Sequence, residues 1–237
     1  MKFYGSKEGN DAEVLIGSKA VLDKHDFVST GVLTYALGDI MEVELPQYDA
    51  FGLGDKVKMT IYSKSGLFVF ETTVVAKDHG SVIVINPPDN RKKFTEKREF
   101  PRIDIQHDGL LHVLHDVKKK NKHHFDNPVG ISIKNISMNG VGFTIEDNSI
   151  VDKIVDKHVQ LDVEMDLGFS MSCKTEIVRK EKSENGIYYG ARYIEVAEMK
   201  TNALRAFILK NQVESYFVQK RDAKYKSLLE KKSAVNQ

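Results

Sequence analysis

The sequence predicts a mainly β protein: two small β-barrels joined by a short linker, followed by a C-terminal α-helix. Short runs rich in Val, Ile, Thr, Phe and Tyr fill residues 13–85 and 102–196, with Gly, Asp, Ser and Pro between them. A basic, proline-containing stretch near residue 90 interrupts these runs. From Glu198 onward the apolar residues change to helical spacing.

The first predicted domain spans residues 1–90. It holds five or six apolar or alternating runs, from "EVLIGSKAVLD" to "SVIVINPP". That number of short strands at such spacing is typical of a small barrel or sandwich. No catalytic constellation occurs among these residues.

A linker is predicted over residues 91–102. It follows Pro87-Pro88, which would stop a central strand from continuing. The linker contains "REFPR", in which Arg98 and Arg102 lie four positions apart. An arginine fork matches phosphate oxygens and the edge of guanine, so this pair could bind a bulky anion from two directions. A merely solvated basic linker is the alternative for this stretch alone.

The second predicted domain spans residues 103–220, where strands resume with "RIDIQ" and continue to "GIYYGARYIEV". Within it, "VKKKNKHHFDNP" is expected to form a long solvated hairpin loop. The helical pattern follows these strands. Leu204, Phe207, Ile208 and Val213 supply most of an apolar helix face, and residues 221–237 are predicted to form a basic helix or tail.

A second candidate for ligand binding is "NISMNG", which ends the apolar strand "GISIK". The amide of Asn135 offers one acceptor and one donor group to a base edge. Ser137 and nearby backbone N–H groups could hold a phosphate oxygen. Gly140 permits a sharp turn or the close approach of a ligand. A simple hairpin turn at Asn139-Gly140 is the alternative, and both interpretations are compatible.

Charge and composition limit the function classes. Residues 1–90 carry 8 Lys and 13 Asp or Glu, a net charge of −5; residues 91–237 carry 27 Lys or Arg and 21 Asp or Glu, a net charge of +6. All seven arginines lie in the second part, which favours an anionic partner there. The lone Cys173 allows no internal disulfide and indicates a reducing cytoplasm. No apolar stretch is long enough for a membrane span.

Arg98-x-x-x-Arg102 followed by Asn135-x-Ser137-x-x-Gly140 resembles the PilZ domain, a bacterial receptor for cyclic di-GMP with the signature RxxxR and (D/N)xSxxG. "YYGARYIEV" is similar to a late strand of that family, and the resemblance covers roughly residues 94–220. A β-barrel of about 90 residues before the motif resembles the two-domain YcgR-type flagellar brake. In that family the first barrel (PilZN) is a degenerate PilZ-like split barrel without ligand motifs.

The resemblance implies roles for individual residues. Arg98 would engage a guanine edge or face, and Arg102 a phosphate or guanine. Asn135 would contact the other guanine, with Ser137 near a phosphate and Gly140 giving close approach. Lys97 lies at the position that, in this family, affects whether one ligand molecule or a stacked pair binds, and a cation there favours the stacked pair.

The resemblance further implies a receptor that changes the orientation of its domains when it binds cyclic di-GMP. Its partner would be a stator or rotor protein of the flagellar motor. Control of exopolysaccharide synthesis or of another cyclic di-GMP pathway is the alternative output. We expect no enzyme, no cofactor, no metal and no nucleic-acid partner. A remote alternative is a single-stranded nucleic-acid-binding barrel that uses basic charge with Phe94, Phe100, Tyr188 and Tyr189.

Overall fold

Strands make up most of this computed structural model, which describes the greater part of the 237-residue chain. The described residues are 16–25, 27–63, 66–91, 98, 100–116, 120–145, 151–183 and 186–235, with backbone alone at 91, 152, 183, 228 and 231–235. The strands form two separate closed barrels of six strands each, and a long helix follows them. The predicted fold class is confirmed.

The first barrel contains six antiparallel strands in the order β1-β2-β3-β6-β5-β4. Their bounds are β1 Lys19–Lys24, β2 Phe27–Leu37, β3 Ile40–Glu44, β4 Lys56–Ser63, β5 Gly66–Asp78 and β6 Ser81–Ile85. A 3₁₀ turn, Tyr48–Ala50, lies between β3 and β4. Alternate residues point inward, as period-2 apolar patterning dictates. Fully buried side chains such as Leu22, Leu33, Met59 and Ile61 form the core.

A one-turn helix, α1, runs Pro88–Arg91. Proline suits the first position of a helix because its missing N–H would have no intrahelical partner there. The sequence had indicated a turn at Pro87-Pro88, and the chain does leave the sheet at that point. Of the predicted linker, residues 92–97 and 99 lie outside the described residues.

The second barrel has the strand order β10-β11-β12-β9-β8-β7 and is also closed. Its strands are β7 Ile103–Asp116, β8 Asn121–Ser137, β9 Gly140–Ile145, β10 Gln160–Asp166, β11 Ser170–Ser183 and β12 Gly186–Val196, with a one-turn helix, α2, at Val151–Ile154. Phe143 and Tyr189 stack inside the barrel with ring centroids 5.6 Å apart. Cys173 is a buried apolar residue, and burial raises the pKa of its thiol to about 12.

The prediction of a long loop over residues 117–128 is wrong, because a strand begins within this range. β8 begins at Asn121, and residues 121–124 pair with the end of β7, as in His115↔Lys122 and Val113↔His124. The register shifts between Leu111 and Val113, so that β8 bulges around Pro128 before pairing resumes at Val129. A bulge accommodates a proline because it releases that residue from the ladder of hydrogen bonds.

Helix α3 spans Glu198–Val235 and contributes to both compact units of the chain. One unit comprises Met1–Pro101 with Gln212–Gln237, and the other Arg102–Asn211. The predicted boundaries had assigned residues 103–220 to the second domain. The difference arises because Gln212 donates to Asp39 (2.7 Å) and Tyr216 donates to Glu42 (2.5 Å), contacts over more than 170 positions. No helix in the described part of the chain is both long and apolar enough to cross a membrane.

Candidate functional site

Four of the predicted ligand residues lie at one end of the second barrel. Ser137 ends β8 and pairs with Gly140, the first residue of β9, across a turn formed by Met138 and Asn139. Arg102 immediately precedes Ile103, which pairs with Ile136. Arg102 therefore lies at the same end of the barrel as Ser137 and as Asn135, which is two positions before Ser137 on β8.

The structure does not test the positions expected for Arg98 and Lys97. Arg98 is an exposed residue at a bend and belongs to the first unit. Lys97 lies outside the described residues. The structure thus brings Arg102, Asn135, Ser137 and Gly140 together within one unit, and the roles expected for Arg98 and Lys97 stay predictions.

The amide of Asn135 is held in one orientation. Its Nδ2 donates to the hydroxyl of Tyr188 on β12 at 2.9 Å. Within the described residues no group donates to its Oδ1, so that oxygen remains available as an acceptor. A guanine edge presents N–H donors, and a fixed acceptor is what such an edge needs.

Gly142 makes room for this pair. Its register partners are Asn135 on β8 and Gly190 on β12. An ideal Cβ at Gly142 would stand 1.9 Å from the Tyr188 hydroxyl oxygen and 2.7 Å from Asn135 Oδ1. Any larger residue would therefore displace one of the two side chains.

Gly140 lies so close to the neighbouring strand β12 that a side chain would not fit there. It pairs with Arg192, and an ideal Cβ would lie 2.3 Å from the backbone oxygen of Ala191. The predicted hairpin is confirmed, but Asn139-Gly140 is not its central pair, and Gly140 is not among the residues with positive φ. The close neighbour of Gly140 in the structure is β12, and the predicted close approach of a ligand stays a prediction.

Ser137 is buried, and its hydroxyl is engaged within the turn. Its Oγ donates to Asn139 Oδ1 at 2.7 Å and lies 3.3 Å from the carbonyl oxygen of Gly140. The backbone of the turn is tied to β12, because the N–H of Tyr193 donates to the carbonyl of Asn139 at 3.0 Å. A phosphate oxygen could accept from Ser137 only by replacing Asn139 as the acceptor.

The arginines of the second unit differ in whether they have acidic partners. Arg179 forms an ion pair with Glu181 and lies over the ring of Tyr188, 5.9 Å from its centroid. Arg192 contacts Glu176 at 2.8 Å. Arg102 is exposed and, in the described part of the chain, has no acidic partner. A guanidinium without a carboxylate partner retains its donors for an external anion.

The sequence did not reveal Tyr188 as a partner of Asn135, nor the role of Gly142. The signal available for Gly142 was its place inside a strand two positions after Gly140, since glycine within a strand often marks close approach. The nucleic-acid alternative predicts a stacking role for Tyr188 and not this hydrogen bond. Tyr189, from the same hypothesis, is fully buried and offers no face to a base, and Phe94 lies outside the described residues.

No cluster of three or more His, Cys, Asp or Glu side chains arranged for a metal ion occurs among the residues that the structure describes. Two histidines of β7, His112 and His115, pair with carboxylates of β10. His115 contacts Asp162 at 2.8 Å, and His112 contacts Glu164 at 3.3 Å.

Comparison with known families gives a match over the site-bearing unit: residues 96–210 match the model of the PilZ domain. No curated protein sequence is similar enough to count as a relative.

Three solved structures illustrate what the whole chain is similar to. The Bacillus subtilis inhibitor of motility MotI/DgrA is 14% identical, with 84% of this chain and 97% of that chain covered and a TM-score of 0.41. Escherichia coli YcgR in complex with c-di-GMP is 11% identical, with 86% and 88% covered and a TM-score of 0.40. The K. pneumonia MrkH–c-di-GMP complex is 14% identical, with 84% and 89% covered and a TM-score of 0.34.

Proposed function

We propose that this chain is a two-barrel effector that binds cyclic di-GMP and regulates flagellar motility, with residues 96–210, which match the model of the PilZ domain, as the part that binds the ligand. The observation that carries the proposal is the position of Arg102, Asn135, Ser137 and Gly140 at one end of the second barrel, in the order of the family signature. The ligand is a dianion with two guanine bases, which suits this set of donors and acceptors.

Each side chain has a distinct task in this proposal. Arg102 supplies a guanidinium fork for a phosphate or for the O6 and N7 atoms of guanine. Asn135 Oδ1 accepts from a guanine N–H, while its Nδ2 stays bound to Tyr188. The Ser137 hydroxyl donates to a phosphate oxygen in place of Asn139 Oδ1. Arg98 contributes a second fork from the segment before β7, and Lys97 adds positive charge that favours a stacked ligand pair.

The proposed output is a change in how the two units are oriented. Arg98 belongs to the first unit, and Arg102 begins the second. A ligand held by both arginines would order the connection between the units and favour one arrangement over others. The shift is limited by the difference in affinity between those arrangements. The reoriented surfaces then bind a stator or rotor protein of the motor.

Calorimetry of the full chain with cyclic di-GMP tests binding and stoichiometry together. We expect Arg98→Ala and Arg102→Ala each to weaken binding by about tenfold or more, the scale of a lost charge-assisted hydrogen bond. Arg205→Ala is the matched control, because Arg205 is an exposed arginine of α3 outside the motif. Full affinity in both motif variants would reject the site, and one ligand per chain would reject the stacked pair.

Two further measurements address the switch and the output. Small-angle scattering should change when wild-type chain is saturated with ligand and should not change for Arg102→Ala at the same concentration. Unchanged wild-type profiles would reject reorientation while leaving binding intact. In cells with high cyclic di-GMP, the wild-type chain should reduce swimming and Arg102→Ala should not. Altered polysaccharide production with normal swimming would favour the alternative output.

A further inference from the structure

The last part of α3 carries an exposed apolar stripe. Val218, Tyr225 and Leu229 are 45%, 64% and 50% exposed. They are separated by seven and four positions, so they follow one line along the helix, about 16 Å long. The stripe belongs entirely to the first unit, which includes Gln212–Gln237.

This stripe faces away from the first barrel. The barrel-facing side of the helix is marked by Gln212 and Tyr216, which donate to Asp39 and Glu42, and by Lys220, which contacts Glu42 at 2.6 Å. At 3.6 residues per turn, the three apolar side chains lie about 180–220° around the helix axis from Tyr216. The barrel therefore leaves the stripe uncovered.

The helix continues for fifteen residues beyond Lys220. All six residues from Arg221 to Lys226 are exposed, and the helix ends only at Val235. A helix segment of about this length has little stability of its own in water, so most such segments depend on packing of an apolar face. Single exposed apolar residues are ordinary, but three that follow one line along a helix indicate a contact surface.

The flanks of the stripe are basic. Residues 221–235 hold five Lys or Arg and two Asp or Glu, a net charge of +3. In the described part of the chain, none of Arg221, Lys224 and Lys226 forms an ion pair. Asp222 lies on the rim of the stripe, four positions after Val218 and three before Tyr225. The rim of the stripe is thus mainly cationic, with Asp222 as an acidic position on it.

We propose that Val218, Tyr225 and Leu229 form the seam of a docking surface for an acidic amphipathic helix of a partner protein. Spacings of seven and four are those of helix–helix seams, in which charged flanks choose the partner. A second copy of this chain would place like charges beside each other along the same seam. An anionic membrane surface would repel Asp222 and Glu230 and would receive only a narrow apolar line. An acidic amphipathic helix would supply apolar side chains to the seam and carboxylates to its basic flanks.

The test uses the full-length chain and a labelled 21-residue peptide of three heptads, with Leu at the seam positions and Glu at the flanking positions. Fluorescence anisotropy should show saturable binding. The double variant Tyr225→Ser/Leu229→Ser and the double variant Arg221→Glu/Lys226→Glu should each weaken it by about tenfold or more. Ala223→Ser is the control, because Ala223 is exposed but lies off the stripe. Matching circular dichroism spectra establish that the variants remain folded.

Competing occupants give different results. Vesicles with 30% anionic lipid and a 20-nucleotide single-stranded DNA are titrated in parallel. Binding to either one that depends on Tyr225 and Leu229, without binding to the peptide, overturns the proposal. So does a wild-type dimer by light scattering that the seam variant abolishes, or peptide binding that the seam variant leaves unchanged. Cyclic di-GMP binding is measured separately and is expected to be the same in the seam variant, so failure here is distinct from failure of the proposed receptor function.

Discussion

The side-chain amide of Asn135 donates a hydrogen bond of 2.9 Å to the hydroxyl of Tyr188, across strands β8 and β12. This contact fixes which end of the amide is an acceptor for a ligand, because Nδ2 is already occupied. Tyr188 is thereby a positioning residue for the proposed site, acting through Asn135.

Tyr188→Phe should weaken binding of cyclic di-GMP by roughly threefold to tenfold, because the amide loses the partner that orients it. Calorimetry measures the effect, and Tyr225→Phe on the exposed stripe is the control. Thermal unfolding should change little, since one half-buried hydrogen bond is lost. Wild-type affinity in Tyr188→Phe would show that the amide needs no such support.

Asn135→Asp should bind cyclic di-GMP at least as tightly as the wild-type chain, whereas Asn135→Ala should lose about tenfold. A carboxylate would accept from the Tyr188 hydroxyl and from two guanine N–H groups, whereas the amide offers the ligand one acceptor. Calorimetry at neutral pH compares the three chains. Weaker binding by the aspartate than by the alanine variant would contradict the assigned role of Oδ1.

Gly142→Ala should destabilise the second unit by about 1–3 kcal/mol, because its Cβ would overlap the Tyr188 hydroxyl oxygen. Tyr188→Ala removes the obstructing side chain, so the double variant should be less destabilised than the two single effects added together. Gly140→Ala serves as the contrast. Its Cβ would meet the backbone oxygen of Ala191, which no side-chain truncation relieves. Strict additivity for Gly142 and Tyr188, from urea unfolding, would refute the proposed clash.

Tyr216→Phe should reduce the free energy of unfolding of the first unit by about 1.5–3 kcal/mol, the range for hydrogen bonds to charged groups. Tyr216 and Glu42 are both buried, and Glu42 also accepts from Thr34, Ser81 and Lys220. Urea unfolding followed by circular dichroism measures the change, with Tyr225→Phe as control. An unaffected midpoint would mean that the hydroxyl contributes no net stability.

The same carboxylate predicts a pH dependence. Burial alone would raise the pKa of Glu42, but hydrogen bonds from Lys220, Thr34, Tyr216 and Ser81 outweigh burial and lower it. A lowered folded-state pKa contributes stability that is present above the unfolded value of 4.5 and is lost as pH falls through the folded value. Wild-type chain should therefore lose more stability below about pH 4.5 than Glu42→Gln. Equal losses in both chains would assign the acid sensitivity to other carboxylates.

Local patterns predicted the two barrels, because alternation of apolar residues determines which face of each strand is buried. They also located Asn135, Ser137 and Gly140 at the end of a strand. They did not reveal that Tyr188 contacts Asn135, 53 positions away, because that contact depends on the register of β8, β9 and β12. The same limit applies to α3, whose helical spacing was evident while its attachment to Asp39 and Glu42 was not.

The hydroxyl of Ser137 already has an acceptor in Asn139 before any ligand arrives. At the proposed site, a phosphate oxygen would replace Asn139 Oδ1 as the acceptor, so the number of hydrogen bonds that the hydroxyl donates would stay constant. In the chain without ligand, the side-chain amide of Asn139 occupies the place at this hydroxyl that the proposal assigns to a phosphate oxygen.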